Sequence, residues 1–533
     1  MSGYATASSV SETEADLCIL GSGIAGMLLA ERAIARGRRV LMIERGTALT
    51  AEQRLAQRSH DDPLPFNRSP LRLPHEAPPA GPRTRWDRDY PYWPVYNLGG
   101  STNMFFGNMP RWHPSHFDQP AFAGGVARRW PITYADLEPY YLEAESRLGI
   151  AGNSEVTPFR GRFAYPLPPH RLSPSDRACE TLFGKGTVLQ VPTTRPSRPV
   201  GTRPQCCGTN KCELCPIDSK GTALNTVYPS IRSKVELRTN LLVTTLHARA
   251  GQVQAVTALD PAGTSHRIHA RQFVVACNGV DSCLLLQRSP EVPQLPSLGR
   301  YFMDHPIIQV AIYDSGVDAR PGYGDTAQTG MFLPFFEQAS RDLPLSMLGE
   351  IRCGSLAEHE GALMRDILMR QIVAEAVNTR AASDPLRSSL ARVWRSTLDV
   401  WFLVEPQPMA EHTVSIGTIE ANGQPVPRIQ LRYPSYFKAC TDHVLGYVRS
   451  RLPKATVAHV GSVPTSFHWM GATRMATNPG DGCVDATLRH HECENLYVLS
   501  SSVFPSASSA NPTLTLAALA LRLGDHLGRA ARR

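Results

Sequence analysis

The densest group of reactive side chains in the sequence is a set of four cysteines. Cys206, Cys207, Cys212 and Cys215 lie in the segment RPQCCGTNKCELCPIDSK, whereas the whole chain has 12 cysteines in 533 residues. Only Cys212 and Cys215 form the Cys-x-x-Cys pair that structural zinc sites use twice. Thiolates also hold iron–sulfur clusters, and the short loop with Gly208 can fold three sulfurs to one point. Three interpretations stay open, namely zinc, an iron–sulfur cluster and buried structural thiols.

A second chemical signature is the glycine pattern G-x-G-x-x-G near the start of the chain. Gly21, Gly23 and Gly26 follow a short apolar run and open a helical pattern, and Glu44 ends the next apolar run. In a strand–turn–helix unit, the first glycine permits the tight turn, the second lets the backbone approach a pyrophosphate, and the third allows close packing. The helix N-terminus offers N–H groups to the anion. The spacing therefore predicts a dinucleotide site in which Glu44 holds a ribose hydroxyl.

Composition and charge narrow the class of protein. Hydrophobic residues make up 42% of the chain and charged residues 19%, which favours large buried cores over disorder. The chain is long enough for two domains. A net charge of +8 is mild for this length, and the basic residues are scattered, so we expect no nucleic-acid partner. The apolar C-terminal segment from Leu514 to Leu527 is interrupted by Arg522 and Asp525, so we expect no membrane span.

The N-terminal residues lack the basic and apolar regions of a signal peptide. Residues 1–14 are therefore expected to be a flexible leader, and the protein to be cytoplasmic. Export to the periplasm together with a partner subunit is the alternative.

Further patterns predict the elements that position these residues. The strand Gln272 to Ala276, followed by Gly279 and a short helix, is expected to join the sheet of the first glycine unit. Thr133 and Asp136 have the spacing of a capping box, and the helix that they open is expected to end at Gly149. Near the C-terminus, the pattern predicts Asn511 as the N-cap of the last helix, with Pro512 as its first residue.

At this point the sequence resembles the glucose-methanol-choline (GMC) family of FAD-dependent oxidoreductases. Four patches carry the resemblance, and together they are spread over most of the chain. They are GSGIAGMLLAERAIARGRRVLMIERG at Gly21 to Gly46, GGSTNMFFGNMPR at Gly99 to Arg111, WPITYADLEPYY at Trp130 to Tyr141, and the C-terminal block from HWMGATRM to NPTLTLAALALR. The segment GRYFMDHP at Gly299 to Pro306 is a shorter stretch that also resembles the family.

The resemblance implies an α/β fold, in which an FAD-binding Rossmann-like domain is interleaved with an α+β substrate-binding domain built on an antiparallel sheet. The expected FAD-binding domain comprises residues 15–125, 200–308 and 460–533. Residues 126–199 and 309–459 are expected to form the substrate-binding domain with helical insertions, including a long helical pattern at Glu360 to Thr379.

The resemblance also assigns roles to individual residues. His468 takes the place of the catalytic histidine, and Asn511 takes the place of its partner. In oxidation of an alcohol, a base takes the hydroxyl proton while the flavin takes the hydride, and neutral histidine has a suitable pKa. Some members attach FAD through a histidine where this chain has Asn103, so we expect non-covalent FAD. The residues expected to contact the cofactor are Gly21, Gly23, Gly26, Glu44, Arg45, Gly100, Ser101, Asn103, Met104, Asn108, Ser501, Pro512 and Thr513.

The cysteine segment is similar to that of the catalytic subunits of bacterial FAD-dependent glucose and gluconate dehydrogenases, which carry a [3Fe-4S] cluster. This similarity implies that Cys206, Cys207 and Cys212 are cluster ligands, with Cys215 as a fourth ligand or a bystander. It also implies a cytochrome or quinone as electron acceptor, and a small partner subunit.

The leading hypothesis is therefore an FAD-dependent enzyme that oxidises a hydroxyl group of a sugar, polyol or related alcohol to a carbonyl. The first alternative is an oxidase of the pyranose or C-glycoside type, which uses dioxygen and has inert cysteines. The second is a non-redox, flavin-containing lyase that acts on a cyanohydrin. An NAD-dependent enzyme is disfavoured because the sequence has no apparent second glycine fingerprint.

Overall fold

A computed structural model describes residues 15–49, 90, 92, 94–119, 128–155, 162–208, 212, 215–319, 330–334, 346–352, 395–420, 423–432, 435–463 and 465–530. The predicted leader and the helical pattern at Glu360 to Thr379 lie outside these residues.

The described residues form strands that we number in chain order. They are β1 (Ala15–Leu20), β2 (Val40–Ile43), β3 (Asp118–Gln119), β4 (Arg128–Arg129), β5 (Val188–Gln190), β6 (Glu236–Arg238), β7 (Leu242–Arg249), β8 (Gln252–Leu259), β9 (Ser265–Val275), β10 (Ile307–Tyr313), β11 (Gly330–Phe332), β12 (Met347–Arg352), β13 (Thr397–Val404), β14 (Thr413–Ile419), β15 (Pro425–Gln430), β16 (Thr456–Val463) and β17 (Leu496–Val498). The α-helices are α1 (Ile24–Ala35), α2 (Tyr134–Leu148), α3 (Pro174–Phe183), α4 (Ala223–Thr226), α5 (Tyr228–Ile231), α6 (Asp281–Gln287), α7 (Ser435–Arg451) and α8 (Thr513–Ala530).

The first sheet is the one that carries the glycine turn. Strands β6, β2, β1 and β9 lie side by side in parallel, and β17 also pairs in parallel with β9. The first half of β9 instead pairs antiparallel with β8, which pairs in turn with β7. The buried runs of β1 and β2 explain their central place, since parallel strands are covered on both faces. The prediction that the second strand–glycine–helix unit joins this sheet is therefore confirmed.

Helices α1, α2 and α8 pack on one another beside the first sheet. Helix α2 has the predicted capping box, in which Thr133 and Asp136 exchange hydrogen bonds, and it ends at Gly149 in the left-handed conformation. Its buried residues, among them Leu137 and Tyr141, belong to the core of the first sheet. The apolar face of α2 thus packs on α8, whereas the boundaries expected from the sequence place α2 in the substrate-binding segment 126–199.

The second sheet is antiparallel and has its own core. Its strand order is β16, β10, β13, β12, β11 and β5, and helices α3 and α7 cover it. Strand β5 and helix α3 come from residues 126–199, and they contact strands of this sheet that lie within residues 309–459. The chain thus has an α/β part with a parallel sheet and an α+β part built on an antiparallel sheet.

The last helix begins slightly later than the sequence predicts. Helix α8 starts at Thr513, and the carbonyl of Pro512 accepts the first helical hydrogen bond, from Leu516. Asn511 therefore precedes the N-cap, and its side chain is available for other contacts. Among the helices of the described residues, none is both long and apolar enough to cross a membrane.

Candidate functional site

A long cavity opens at the carboxyl ends of the parallel strands, next to the glycine turn. Its lining includes Gly21 and Gly23 from that turn, Glu44 directly after β2, and His468 from the C-terminal part of the chain. Ligands of open parallel sheets bind at this edge.

The three glycines of the G-x-G-x-x-G motif differ in how much space there is for a side chain. Gly21 has φ +112°, and a Cβ atom there would lie 2.5 Å from the carbonyl oxygen of Ala276. A Cβ atom at Gly26 would lie 2.3 Å from the carbonyl oxygen of Gly21. A Cβ atom at Gly23 would meet no atom within 4 Å among the described residues, and Gly23 lines the cavity. Gly21 and Gly26 thus serve the fold, whereas the space beside Gly23 suits a pyrophosphate.

Glu44 is held beside this turn by three donors. The backbone N–H and hydroxyl of Ser22 donate to one carboxylate oxygen at 3.1 and 2.6 Å, and the N–H of Gly46 donates to the other at 2.8 Å. Burial raises the pKa of the carboxyl, and these hydrogen bonds oppose the rise. The next residue, Arg45, also lines the cavity and stacks on the ring of Tyr96 at 3.3 Å. Both residues therefore line the cavity next to the glycine turn.

Most of the other predicted cofactor residues also line the cavity, namely Gly100, Ser101, Ser501, Pro512 and Thr513. Three predicted flavin neighbours do not. Asn103 donates to the side chain of Asn97 and the carbonyl of Leu98, so it braces its own loop. Met104 packs against Leu49 and Val95. Asn108 donates to Glu350 of β12 at 2.9 Å, and thus joins the segment from Gly99 to Arg111, which we call the glycine loop, to the second sheet.

His468 and Asn511, which lie 43 positions apart in sequence, meet beside the cavity. The side-chain nitrogen Nδ2 of Asn511 lies 3.3 Å from Nε2 of His468. The Oδ1 atom of Asn511 is buried and has no hydrogen-bond partner among the described residues. Phe467, immediately before the histidine, has φ +60°, an uncommon conformation for a bulky residue that is found mostly at functional sites. The predicted catalytic pair is therefore together in space.

A buried carboxylate organises the loop behind His468. Asp304 accepts hydrogen bonds from the hydroxyls of Tyr90, Thr465 and Ser466, and from the backbone N–H groups of His305 and His468. Burial raises the pKa of this carboxyl, and the hydrogen bonds from Thr465 and Tyr90 oppose the rise.

His305 lies between this carboxylate and the catalytic pair. Its Nδ1 atom is 3.0 Å from Nδ1 of His468, and the two rings are nearly perpendicular at 89°. Burial lowers the pKa of His305 to about 4. Burial also lowers the pKa of His468 well below its ordinary value, and the charge of His305 lowers it further. Both imidazoles are therefore neutral at neutral pH.

The potential ligand atoms of Asp304, His305 and His468 lie within 4.8 Å of one another, as they would around a metal ion. However, the carboxylate already accepts five or more hydrogen bonds, and Nε2 of His305 lies 2.5 Å from the carbonyl oxygen of Ser508. The facing Nδ1 atoms are at hydrogen-bond distance from each other. These contacts fit a hydrogen-bonded cluster rather than a metal site.

The four cysteines lie beside the glycine loop, on the far side of Arg195. This buried guanidinium donates to Sγ of Cys212 at 3.5 Å and to Oδ1 of Asn108 at 3.1 Å. Burial raises the pKa of Cys206, and the charges of Cys212 and Cys207 raise it further, whereas Arg195 lowers it. The sulfur of Cys215 accepts hydrogen bonds from two backbone N–H groups at 3.2 and 3.4 Å.

A single tetrahedral zinc ion would hold its sulfurs about 3.8 Å apart, given Zn–S bonds of about 2.3 Å. No three of the four described cysteines bring their sulfurs within 4.8 Å of one another. The zinc interpretation therefore does not fit this arrangement. Thiolates around a cluster of several iron atoms lie further apart, so the iron–sulfur and structural interpretations stay open.

Several important residues escaped the sequence analysis. Ser22 occupies a variable position of the glycine motif, so the sequence assigned it no role. Asp304 and His305 belong to the segment GRYFMDHP, which resembles the family, but neither residue was assigned a role. Arg195 and Lys220 are buried cations that tie the cysteine segment to the glycine loop, where Lys220 donates to the carbonyls of Asn103 and Phe105. In the sequence, Arg195 and Lys220 each stand out only as an isolated basic residue among short polar or apolar residues. By itself, this pattern is a weak indication of a buried cation.

Comparison with known proteins agrees with this geometry. A family model described as GMC oxidoreductase matches residues 440–520. The chain is 30% identical to 6'''-hydroxyparomomycin C oxidase of Streptomyces lividus, over 95% of this chain and 90% of that protein. It is 27% identical to the fructose dehydrogenase large subunit of Gluconobacter japonicus, over 96% of this chain and 97% of that protein.

Solved structures share the fold. Pyridoxine 4-oxidase from Mesorbium loti superposes with a TM-score of 0.64 at 17% identity, covering 97% of this chain and 99% of that chain. Formate oxidase from Aspergillus oryzae gives 0.63 at 14% identity, covering 98% and 100%. The parallel sheet with its glycine turn, the antiparallel second sheet and the end-to-end similarity together identify the protein as a member of the GMC oxidoreductase family.

Proposed function

We propose that the protein oxidises a hydroxyl group of a sugar, polyol or related alcohol to a carbonyl with non-covalently bound FAD. The observation that carries this proposal is the pairing of His468 and Asn511, at 3.3 Å, beside the cavity that the glycine turn also lines. FAD, when bound, supplies the acceptor for the hydride that leaves the substrate carbon. Gly23 and Glu44 would hold the pyrophosphate and the ribose.

The protein's own residues would bind the hydroxyl and remove its proton. The neutral Nε2 atom of His468 is the acceptor for the O–H proton, while Nδ2 of Asn511 donates to the same oxygen. Loss of one proton and one hydride removes two electrons and leaves a C=O bond. Since burial lowers the pKa of His468, the imidazole is neutral and ready to accept the proton at neutral pH.

The substrate class rests on the relatives. One is named for fructose and another for a hydroxylated aminoglycoside, and both names denote polyhydroxy compounds. The test is anaerobic incubation of the FAD-loaded protein with a panel of ketoses, aldoses, polyols and amino sugars. Loss of the visible flavin absorbance together with one carbonyl per flavin is expected for at least one of them. Bleaching by none of them, with carbonyl release from a cyanohydrin, would instead favour the lyase.

We also propose that Cys206, Cys207 and Cys212 would hold an iron–sulfur cluster, which would supply a one-electron carrier between the flavin site and an external acceptor. Arg195 supports this path, because it contacts both Cys212 and the glycine loop, and its charge lowers the pKa of Cys206 against the effect of burial. The N–H groups that donate to Cys215 are of the kind that stabilise cluster thiolates. A cytochrome or quinone would then accept the electrons, and a partner subunit, as the name of the fructose dehydrogenase large subunit suggests, would accompany the chain to the periplasm.

The cluster is tested by counting iron and acid-labile sulfide in anaerobically purified protein and recording its EPR spectrum after air oxidation. A three-iron signal that Cys212→Ser abolishes, and that Cys179→Ser leaves unchanged, is the expected result. Cys179 is a suitable control because it is buried in the second core. Iron-free protein that makes hydrogen peroxide from sugars would contradict the cluster and favour the oxidase alternative.

A further inference from the structure

We propose that His305 is a positioning residue that fixes the tautomer of His468, so that the proton stays on Nδ1 and the lone pair on Nε2 faces the substrate. This inference rests on the proposed function, in which Nε2 of His468 is the base. It follows from the hydrogen-bonding capacity of the groups behind the catalytic ring.

The chain of contacts begins at a backbone carbonyl. Nε2 of His305 lies 2.5 Å from the carbonyl oxygen of Ser508, which can only accept a hydrogen bond. The proton of the neutral His305 ring is therefore on Nε2, and its Nδ1 atom carries a lone pair. That lone pair lies 3.0 Å from Nδ1 of His468 and can only accept, so Nδ1 of His468 is the donor.

A second acceptor confirms the direction. The hydroxyl of Ser466 donates to Asp304 at 2.9 Å, which commits its only proton. Its oxygen lies 2.9 Å from Nδ1 of His468 and is left with lone pairs toward it. Two acceptors therefore share the Nδ1 proton of His468, and no donor opposes it among the described residues that contact this nitrogen. Asp304 thus acts on His468 through Ser466.

The opposite edge of the His468 ring is consistent with this assignment. Nε2 without a proton accepts from Nδ2 of Asn511, at 3.3 Å. The other tautomer would leave three lone pairs facing one another around Nδ1. It would also be unable to accept a substrate proton. The contacts at Nδ1 therefore disfavour the inactive tautomer, and the contact at Nε2 is compatible with the active one.

His305 itself is unsuited to be the base. Both of its nitrogens are engaged within the protein, the residue is fully buried, and it is absent from the cavity lining, whereas His468 belongs to it. Its contribution therefore passes through His468. If His305 only filled space, the reaction would not need a hydrogen-bond acceptor at the position of its Nδ1 atom.

The discriminating experiment compares His305→Asn with His305→Leu in FAD-loaded protein. Asparagine offers Oδ1 at about the position of the imidazole Nδ1 and keeps the acceptor, whereas leucine fills the space without one. We expect anaerobic flavin reduction to slow about tenfold in His305→Leu, the usual effect of one lost hydrogen bond. His305→Asn is expected to stay within about threefold of the wild type. FAD content should be unchanged in both.

His412 provides a matched control. It is also buried and its Nε2 lies 2.8 Å from a backbone carbonyl, that of Arg432, but it does not contact the catalytic pair. His412→Leu should therefore leave the rate of flavin reduction unchanged. If His305→Leu reacts as fast as the wild type, or if His305→Asn is as slow as His305→Leu at equal FAD content, the inference is wrong.

A second measurement tests the inference even if the His305→Leu variant does not fold. Nitrogen NMR of imidazole-labelled FAD-loaded protein, with the His468 signal assigned from His468→Asn, reports which ring nitrogen carries the proton. The expected result is a protonated Nδ1, and a protonated Nε2 would overturn the inference. Full activity of His468→Asn would contradict the proposed function instead, so the two failures are distinguishable.

Discussion

Substitution of Gly23 by alanine is expected to weaken cofactor binding without lowering the stability of the fold. Gly23 has φ −65° and ψ 177°, which alanine adopts without strain, and its Cβ atom would meet no described atom within 4 Å. We therefore expect the apoprotein to be as stable as the wild type, or more stable by about 0.5 kcal/mol. The new methyl group would occupy the space that we propose for the pyrophosphate. An overpacking penalty of about 1–3 kcal/mol corresponds to FAD binding that is about 5- to 150-fold weaker.

The assay is titration of apoprotein with FAD, followed by flavin fluorescence, beside urea unfolding of the same apoprotein. Gly26→Ala is the opposite control, because its Cβ atom would lie 2.3 Å from the carbonyl oxygen of Gly21 and should destabilise the fold itself. Gly446→Ala is the control for unchanged FAD binding, since a Cβ atom at this site in α7 would meet no described atom within 4 Å and Gly446 does not line the cavity. Gly23→Ala protein that binds FAD as tightly as the wild type would refute the assignment of the pyrophosphate to this turn.

Two further predictions concern buried charge. Arg111 and Glu145 form a buried bidentate pair at 2.6 Å, so Arg111→Met is expected to cost about 3–5 kcal/mol in urea unfolding, whereas Arg129→Met, in an exposed pair, should cost at most about 1 kcal/mol. An equal cost for the two variants would contradict this. Burial lowers the pKa of His490 to about 4. The unfolded chain, with a histidine pKa of about 6.5, then binds the proton more tightly, so stability falls as pH drops below about 6.5. This one group accounts for about 2 kcal/mol between pH 7 and pH 5, and His490→Gln should lose that part of the pH dependence. An unchanged slope would show that His490 is not the source.

The local elements that the sequence predicts well are those with a periodic or stereochemical cause. The glycine turn is predictable because Gly21 and Gly26 each exclude a Cβ atom for steric reasons. The start of α2 is predictable because Thr133 and Asp136 satisfy each other's backbone N–H groups locally. At Gly26 and in the capping box, the determining contacts lie within a few residues of one another. At Gly21, the local backbone conformation, with φ +112°, favours glycine by itself, although a Cβ atom there would also meet the distant Ala276.

Long-range contacts are less predictable. Sequence order placed α2 with the second domain, but its partner α8 lies almost 400 positions further along the chain. Asn511 was expected to cap α8 because asparagine favours that position, yet its side chain contacts His468 instead. Asp304 and His305 are adjacent in sequence, but their contacts with Ser466 and Ser508 join segments that only the fold brings together, so no spacing in the sequence could indicate this cluster.

The central claim is that His468 removes the hydroxyl proton while the substrate is oxidised. It is tested most directly by rapid anaerobic mixing of FAD-loaded wild type and His468→Asn with an accepted sugar or polyol, following the flavin absorbance. Loss of general-base catalysis predicts that flavin reduction slows by about 10²- to 10⁴-fold in the variant while FAD content stays the same. Reduction at the wild-type rate in His468→Asn would contradict the account.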